Sequence, residues 1–306
     1  MTHATSIQLG AAMYPHMIGE VELTVISDGT FGIPPAFLAS GESDEPVRAW
    51  LRAQSMPEDV VTSPLNVWLV RVPGGAGGER VMLIDTGAGA LDTFGTGVGR
   101  LFGHLDRAGI DPLAITDLAM THLHTDHIGG ALMAAERGLF SESLRVHVAR
   151  VELEFWGGDT TAMFATHRVG PEIGTGLTGA ARTFIEAYGS RIAPFDDGAE
   201  IAPGVTAHLT PGHTPGHAGF RIESGGRSAM ILGDAVNLST FDNPEWEFFF
   251  DTEPEAGVRT RRALLGELCE HGELVTATHV SFPALGRVTT APGGERFRFN
   301  PITWAH

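Results

Sequence analysis

Histidine and aspartate residues cluster in one short stretch of this 306-residue sequence at a density typical of a metal site. The stretch is residues 121–130, with the sequence THLHTDHIGG, and it follows an apolar segment that reads as a strand. Side chains two positions apart on an extended chain point the same way, so His122 and His124 can reach one cation. Asp126 and His127 begin the turn into a helical pattern and point towards a second cation. Imidazole and carboxylate groups suit zinc-like ions.

Three more candidate ligands follow downstream, each at the end of an expected strand. His213 lies within residues 210–217, TPGHTPGH, where two Pro-Gly-His units force tight turns. Asp234 follows an apolar run, and a carboxylate at that place can bridge two cations. His279 also follows an apolar run. We therefore predict one metal held by His122, His124 and His213, a second held by Asp126, His127 and His279, and Asp234 between them.

Two cations about 3.5–4 Å apart can deprotonate a water near neutral pH and polarise a substrate oxygen. Zinc is the first expectation, although Mn, Fe and Co accept the same ligands. We expect Asp234 and Asp126 to be the catalytic carboxylates, with Asp126 passing a proton to the leaving group. His217 is expected to support the ligands through hydrogen bonds. The competing interpretation of residues 121–130 is a solvated His-rich turn that caps a helix.

The elements that position these residues read as strands followed by helices in each half of the chain. This order predicts two β-sheets packed face to face with helices outside, in a single domain over residues 1–306. Residues 31–64, rich in Pro, Gly, Ser and charge, are expected to form a long excursion near the active site. The pattern predicts strands at 20–27, 65–72, 80–85, 114–121, 204–209, 218–223 and 228–232, helices at 91–108, 177–188 and 254–271, and a closing hairpin at 287–290 and 296–300.

Composition excludes several classes of protein. The formal net charge of −17 disfavours nucleic acid and anionic lipid as partners. The single cysteine, Cys269, excludes an intramolecular disulfide, a Cys-rich zinc knuckle and an iron–sulfur cluster. No run approaches the roughly 18 apolar residues of a membrane span. Residues 1–8 contain no Lys or Arg, so we expect no signal peptide and a cytoplasmic location.

The order and intervals of the candidate ligands resemble those of the dinuclear metallo-β-lactamase superfamily. The segment Leu83-Ile-Asp85-Thr-Gly resembles the strand-end motif of that superfamily, in which the Asp supports the metal-site loop. The resemblance implies an α/β fold of the αββα sandwich type with the site at one edge. It also implies that the protein is a metal-dependent hydrolase.

A narrower resemblance is to the methyl parathion hydrolase branch of that superfamily. It rests on residues 19–30 (GEVELTVISDGT), on Phe94-Gly after the Asp-Thr-Gly motif, on residues 279–287 (HVSFPALGR) and on residues 296–304 (RFRFNPITW). Relatives there hydrolyse phosphotriesters, lactones and aryl esters, and are commonly homodimers. The resemblance therefore implies a lactonase of the acyl-homoserine lactone type with arylesterase and phosphotriesterase activity. A dedicated organophosphate hydrolase is the first alternative, and a metal-binding scaffold without activity is the second.

An apolar pocket should receive the small, neutral ester, lactone or phosphotriester that we expect as substrate. Phe94, Trp156 and Phe164 are the candidate pocket residues. Acyl-homoserine lactonases carry a tyrosine shortly after the bridging Asp, and this sequence has Asn237 near that position. An amide at this place could donate a hydrogen bond to a developing oxyanion.

Overall fold

Two seven-stranded sheets form within the residues that the computed structural model describes, which are 12–74, 78–294 and 296–303. The strands of the first sheet follow one another in chain order, with antiparallel pairing up to the fourth strand and parallel pairing after it. These strands are β1 (Met13–Ile18), β2 (Val21–Ile33), β3 (Val61–Val72), β4 (Arg80–Ile84), β5 (Asp117–Ala119), β6 (Arg145–Ala149) and β7 (Ile192–Phe195).

The second sheet is built from the other half of the chain. Its strands also neighbour one another in chain order, and the fourth and fifth are its parallel pair. They are β8 (Glu200–Ala202), β9 (Val205–Leu209), β10 (Ala218–Ser224), β11 (Arg227–Ile231), β12 (Leu274–Thr276), β13 (Gly286–Thr290) and β14 (Phe297–Pro301).

Helices cover the outer faces of both sheets. The second to sixth helices pack on the first sheet through a large apolar cluster, and the eighth packs on the second sheet. The helices are α1 (Asp44–Ala53), α2 (Leu101–Arg107), α3 (Thr125–Arg137), α4 (Arg150–Gly157), α5 (Thr161–Thr166), α6 (Gly170–Tyr188), α7 (Leu238–Asp242) and α8 (Pro254–His271). The layering confirms the predicted αββα sandwich. Among the described residues, none of these helices has the length and apolar character needed to cross a membrane.

The inner faces of the two sheets share one apolar core. Trp68 from β3 and Phe220 from β10 are fully buried in it. Burial of each such side chain stabilises the fold by about 1.5–3 kcal/mol. The indole Nε1 of Trp68 donates a hydrogen bond of 2.9 Å to Oγ1 of Thr276 in the opposite sheet, so its one polar atom is satisfied and ties the sheets together.

Several predicted elements are confirmed, and others are longer or broken. Helix α8 has the predicted bounds. The predicted helix at 91–108 is instead a short 3-10 segment at Asp92–Gly97 followed by α2, because Gly95 has a φ of +72° and Val98 is extended. The excursion over 31–64 contains α1, but a bulge between Ser27 and Gly29 lets β2 continue to Ile33 in pairing with the start of β3.

The carboxyl ends of β5, β9, β11 and β12 lead into the loops that carry the candidate ligands, and the carboxyl end of β4 leads to Asp85. Parallel neighbours place these ends at the same edge of each sheet. Loops at such an edge are where α/β proteins commonly place their sites. The topology thus brings residues more than 100 positions apart in sequence to one place.

Candidate metal centre and active site

Residues 122–127 form the base of the candidate site, between β5 and α3. His122 and His124 lie on an extended segment, and His124 is the N-cap of α3. The first helical turn then carries Asp126 and His127. His122 and His124 fall in one group of potential ligands and Asp126 and His127 in another, and His122 also forms a group with His127 and Asp234.

The first candidate set consists of His122, His124 and His213. One ring nitrogen from each lies within 4.8 Å of those of the other two. Nδ1 of His124 lies 3.0 Å from Nε2 of His213, which is close to the ~3.3 Å between two nitrogens on one tetrahedral zinc. Burial, together with the neighbouring imidazoles, holds the pKa of both His122 and His124 well below the usual value. These rings are therefore neutral, the form that ligates a metal.

The second candidate set consists of Asp126, His127 and His279, which also present ligand atoms within 4.8 Å of one another. Oδ2 of Asp234 lies 3.4 Å from Nε2 of His127, 3.1 Å from Nε2 of His279 and 3.5 Å from Nε2 of His213. One carboxylate thus faces both sets. The structure brings together all seven residues that the sequence singled out as metal ligands.

The polar atoms of this cluster fit a pair of cations. Three of the seven buried side-chain polar atoms without a hydrogen-bond partner among the described residues are candidate ligand atoms of the cluster, namely Nε2 of His122, Nε2 of His127 and Oδ1 of Asp234. Buried polar atoms rarely lack partners, so the unused lone pairs indicate a missing ligand. Burial opposes charge on His127, but Asp234 and other carboxylates raise its pKa well above the usual value. This half of the cluster therefore attracts positive charge.

Asp85 supports the metal-site loop, as the resemblance implies. Its φ of +56° turns the chain sharply after β4. One carboxylate oxygen, Oδ1, accepts from the backbone N–H of Thr121 at 2.9 Å, and Oδ2 accepts from Oγ1 of Thr121 at 2.7 Å and from Nδ1 of His127 at 2.8 Å. With Nδ1 donating, Nε2 of His127 is left as the free ligand atom.

His217 is not part of either candidate set and supports Asp234 instead. Its Nε2 accepts from the backbone N–H of Asp234 at 3.0 Å, and its Nδ1 donates to Oγ1 of Thr210 at 2.7 Å. Burial and the nearby His213 lower the pKa of His217 to about 3, so the ring stays neutral in this tautomer. A Cβ on Gly233, whose φ is +53°, would lie 2.7 Å from Nε2 of His217, so this contact requires glycine.

Sequence reasoning missed several residues that orient the candidate ligands. Asp251 accepts a hydrogen bond of 2.9 Å from Nδ1 of His213. Nδ1 of His279 lies 2.8 Å from the backbone oxygen of Pro64, to which it donates. The side-chain amide of Asn66 donates to three backbone oxygens of the loop that carries His279. No local motif marks these contacts, since each joins parts of the chain far apart in sequence.

A cavity of about 600 Å³ opens onto the cluster. His124, Asp126, His213, Asp234 and His279 form its polar floor. Its walls are mostly apolar, and they include Phe31, Phe37, Trp50, Phe94, Leu177 and Phe250.

Two of the four residues expected at the substrate pocket lie on this cavity, and two lie elsewhere. Phe94 and Asn237 are among its lining residues. Trp156 and Phe164 are instead fully buried in the core between α4, α5 and α6, where their rings stack with centroids 6.3 Å apart. Their aromatic character was consistent with either position, and the packing of α4 and α5 against α6 decides it. Helix α1 and the residues after it, including Trp50, line another wall, so part of the excursion over residues 31–64 lies at the cavity.

A family model described as the metallo-beta-lactamase superfamily matches residues 61–291. The chain belongs to the metallo-beta-lactamase superfamily. Together with the paired His and Asp clusters, this membership supports a metal-dependent hydrolase with a dinuclear metal site. No curated protein sequence matches the chain.

Several solved structures share the fold. AidC, a dizinc quorum-quenching lactonase in complex with a product, has a TM-score of 0.86 at 23% identity and covers 96% of this chain and 99% of its own. The hydrolase AbOPH has a TM-score of 0.85 at 26% identity and covers 98% and 100%. A variant of AiiA from B. thuringiensis with N-decanoyl-L-homoserine at its active site has a TM-score of 0.60 at 19% identity and covers 88% and 100%.

Proposed function

We propose that this protein is a dinuclear metal-dependent hydrolase of small, neutral ester-type substrates. Lactones of the acyl-homoserine type are the substrates that we favour, with aryl esters and phosphotriesters as further substrates. The observation that carries the proposal is the apolar cavity, whose floor is formed by the residues of both candidate metal sets. A substrate seated there would place its electrophilic carbon or phosphorus next to the cluster.

The charge of the cavity favours a neutral substrate. No arginine or lysine is among the described residues that line it, whereas Asp126 and Asp234 are. The whole chain carries a formal net charge of −17, which adds to the repulsion of anions. Apolar walls recover free energy by burying the hydrocarbon part of a ligand. An uncharged ester with an apolar substituent meets both conditions.

Two divalent cations, when bound here, supply a water of lowered pKa and polarise the substrate oxygen. The protein's own contribution is to hold neutral imidazoles on one side and carboxylates on the other. Burial keeps His122 and His124 deprotonated, and Asp85 orients His127. Asp234 faces both sets, so we propose that its carboxylate would help to hold both cations.

Two further side chains act directly on the substrate in this proposal. Asp126 is partly exposed to the cavity, so its carboxylate can accept a proton from the attacking water and pass it to the leaving oxygen. Asn237 caps α7, and its Oδ1 accepts from the backbone N–H groups of Ser239 and Thr240 and from Oγ of Ser239. This fixes the amide plane, and none of the described residues accepts from its Nδ2. We propose that Nδ2 donates to the substrate oxygen on which negative charge develops.

The solved structures support a lactonase without deciding the substrate. AidC is a dizinc lactonase, and AiiA holds an N-acyl-homoserine at its active site. A dedicated organophosphate hydrolase is the alternative, because an apolar, uncharged cavity also fits a phosphotriester. Homodimer formation and a cytoplasmic location stay predictions. Light scattering on the purified protein would test the first, and fractionation of the source cells the second.

The test is a comparison of kcat/KM on an acyl-homoserine lactone, a paraoxon-type triester and an aryl acetate, with metal content measured on the same sample. We expect about two metal ions per chain and the highest kcat/KM on the lactone. A preference of about a thousandfold for the triester would favour the alternative, since that corresponds to roughly 4 kcal/mol of transition-state binding.

Asp234→Asn should lose metal and activity together, because an amide cannot bridge two cations. Asp106→Asn, on the exposed side of α2, is the matched control and should keep both. Full turnover by wild-type protein with no bound metal would contradict the proposal. Two metals with no turnover of any ester would instead favour the inactive scaffold.

A further inference from the structure

Glu152 is a fully buried carboxylate at the start of α4, outside both candidate metal sets. No salt bridge to it occurs among the described residues. Burial of an unpaired carboxylate costs several kcal/mol unless hydrogen bonds compensate. The contacts that compensate here are therefore informative.

Four donors surround this carboxylate. Oε1 accepts from the backbone N–H of Leu123 at 2.9 Å and from Nε1 of Trp156 at 2.7 Å. Oε2 accepts from Oγ1 of Thr214 at 2.6 Å and from the backbone N–H of Gly216 at 3.1 Å. Three of the four are N–H groups, which can only donate, so the ionised carboxylate is the form that matches them.

These donors belong to the two loops that supply the first candidate set. Leu123 lies between His122 and His124, and Thr214 directly follows His213. The loops come from different sheets, and His124 and His213 are 89 positions apart in the sequence. One carboxylate thus holds both loops, with one oxygen on each.

Close packing reinforces this contact. A Cβ on Gly216 would lie 2.2 Å from the backbone nitrogen of Glu152, so only glycine allows the loop to approach α4 this closely. One helical turn further on, the ring of Trp156 packs edge-on to His124 with centroids 5.7 Å apart. Glu152 therefore fixes the loops and, through Trp156, one of the imidazoles.

We infer that Glu152 is a positioning residue, which sets the spacing of His122, His124 and His213 and thereby the affinity of this set for a divalent cation. The inference rests on the proposed function only in requiring that the cluster binds cations. Partners that orient metal ligands from outside the coordination sphere typically change metal affinity by 10–100-fold. The second set, held by Asp85 and the Pro64 backbone, has no contact with Glu152 and should keep its affinity.

The decisive variant is Glu152→Gln, which keeps the side-chain volume but replaces one acceptor oxygen by an NH₂ group. Either the Leu123 loop or the Thr214 loop then loses its acceptor, and a buried N–H faces another donor. Asp117→Asn is the matched control. Asp117 is equally buried and accepts from Arg80 and His147, but it lies at the opposite end of β5 from His122. Both variants should lower the thermal stability.

The measurement is a titration of metal-free protein with Zn²⁺ in competition with a chromophoric chelator, supported by the absorption spectrum of the Co²⁺ form. Wild type and Asp117→Asn should bind two ions with the same affinities. Glu152→Gln should bind one of the two at least tenfold more weakly, with an altered Co²⁺ spectrum. If Glu152→Gln binds both ions with the affinities of wild type, the inference is overturned.

Thr214→Val keeps the test decisive if Glu152→Gln does not fold. It removes one donor to Oε2 and should lower the affinity for the same ion by a smaller factor. Unchanged affinities would again count against the inference. Failure of wild type to bind any ion would overturn the proposed function instead, so the two failures can be told apart.

Discussion

Oδ1 of Asp251 lies 2.9 Å from Nδ1 of His213, and neither side chain is more than 6% exposed. The other oxygen of Asp251 accepts from the backbone N–H of Phe248 and faces the buried guanidinium of Arg261 at 3.5 Å. A carboxylate behind an imidazole fixes its tautomer and raises the basicity of the free nitrogen. The loop before α8 is therefore connected to the candidate metal site through one ion-paired carboxylate.

Asp251→Asn should lower the metal affinity of the protein at least tenfold, because an amide that still accepts from His213 must turn its NH₂ group towards Phe248 N–H and Arg261. Zinc competition titration measures the effect. Glu255→Gln, in the exposed first turn of α8, is the control and should bind metal like wild type. An unchanged affinity in Asp251→Asn would show that the contact with Asp251 does not contribute to binding.

Asn66→Ala should reduce stability and loosen the loop that carries His279. The amide of Asn66 donates at 3.3, 2.9 and 2.7 Å to the backbone oxygens of residues 277, 278 and 280. Its loss removes this donor from the backbone oxygens of residues 277 and 280, whereas the oxygen of Thr278 still accepts from the backbone N–H of residue 66, and an unpaired buried acceptor costs about 1–3 kcal/mol. Urea unfolding of the metal-free protein measures that cost. Zinc titration should in addition show weaker binding of the ion whose affinity Glu152→Gln leaves unchanged. Weaker binding of the same ion in both variants would contradict the assignment of Asn66 and Glu152 to different candidate sets.

Asp117→Asn should change the acid stability of the protein. Burial opposes the charge on Asp117, but hydrogen bonds from His147, Arg80 and Thr116 prevail and lower its pKa from 3.8 to about 2. Because the folded pKa is the lower one, the contribution of Asp117 is fully present above about pH 4 and is lost as the pH falls towards about 2.

Urea unfolding of metal-free protein at pH values between roughly 2 and 7 checks this expectation, because that range covers the ionisation of Asp117 in both the folded and the unfolded chain. Wild type and Asp117→Asn should differ in their free energy of unfolding. The pH-dependent part of this difference should be about 2 kcal/mol at neutral pH and shrink only below about pH 4. The exposed control Asp106→Asn should follow wild type throughout. A difference that shrinks above pH 5 would assign the effect to another group, such as a histidine.

Phe94→Ala should raise KM for apolar esters roughly tenfold, since it removes an aromatic wall worth about 1.5 kcal/mol of burial, with a smaller effect on kcat. Phe94 lines the cavity and packs edge-on to Phe31, whose ring in turn contacts His279. Phe164→Leu is the contrasting variant, because Phe164 is buried in the core and away from the cavity. It should lower the melting temperature and leave KM unchanged; the opposite outcome would exchange the roles of these two residues.

Local spacing was sufficient to predict the layers of the fold and to single out the candidate ligands that the structure brings together. Side chains alternate in direction along a strand, and the turn into α3 follows within a few residues, so both are short-range properties. The intervals alone therefore predicted the division of His122, His124, Asp126 and His127 into two sets. Helix α8 kept its predicted bounds because its apolar periodicity is carried within 18 residues. The strand-end position of Asp85 was equally local.

Only the tertiary structure decided which residues support those candidates and which line the cavity. Asp251, Asn66 and Glu152 each contact a segment at least 29 positions away, so no interval in the sequence reveals them. Trp156 and Phe94 are both aromatic, and burial of their apolar surface is equally favourable in the core and in a pocket wall. The packing of α4 against α6 places Trp156 inside the protein, while the broken helix around Gly95 leaves Phe94 at the cavity. Long-range contact, which depends on the whole fold, made that distinction.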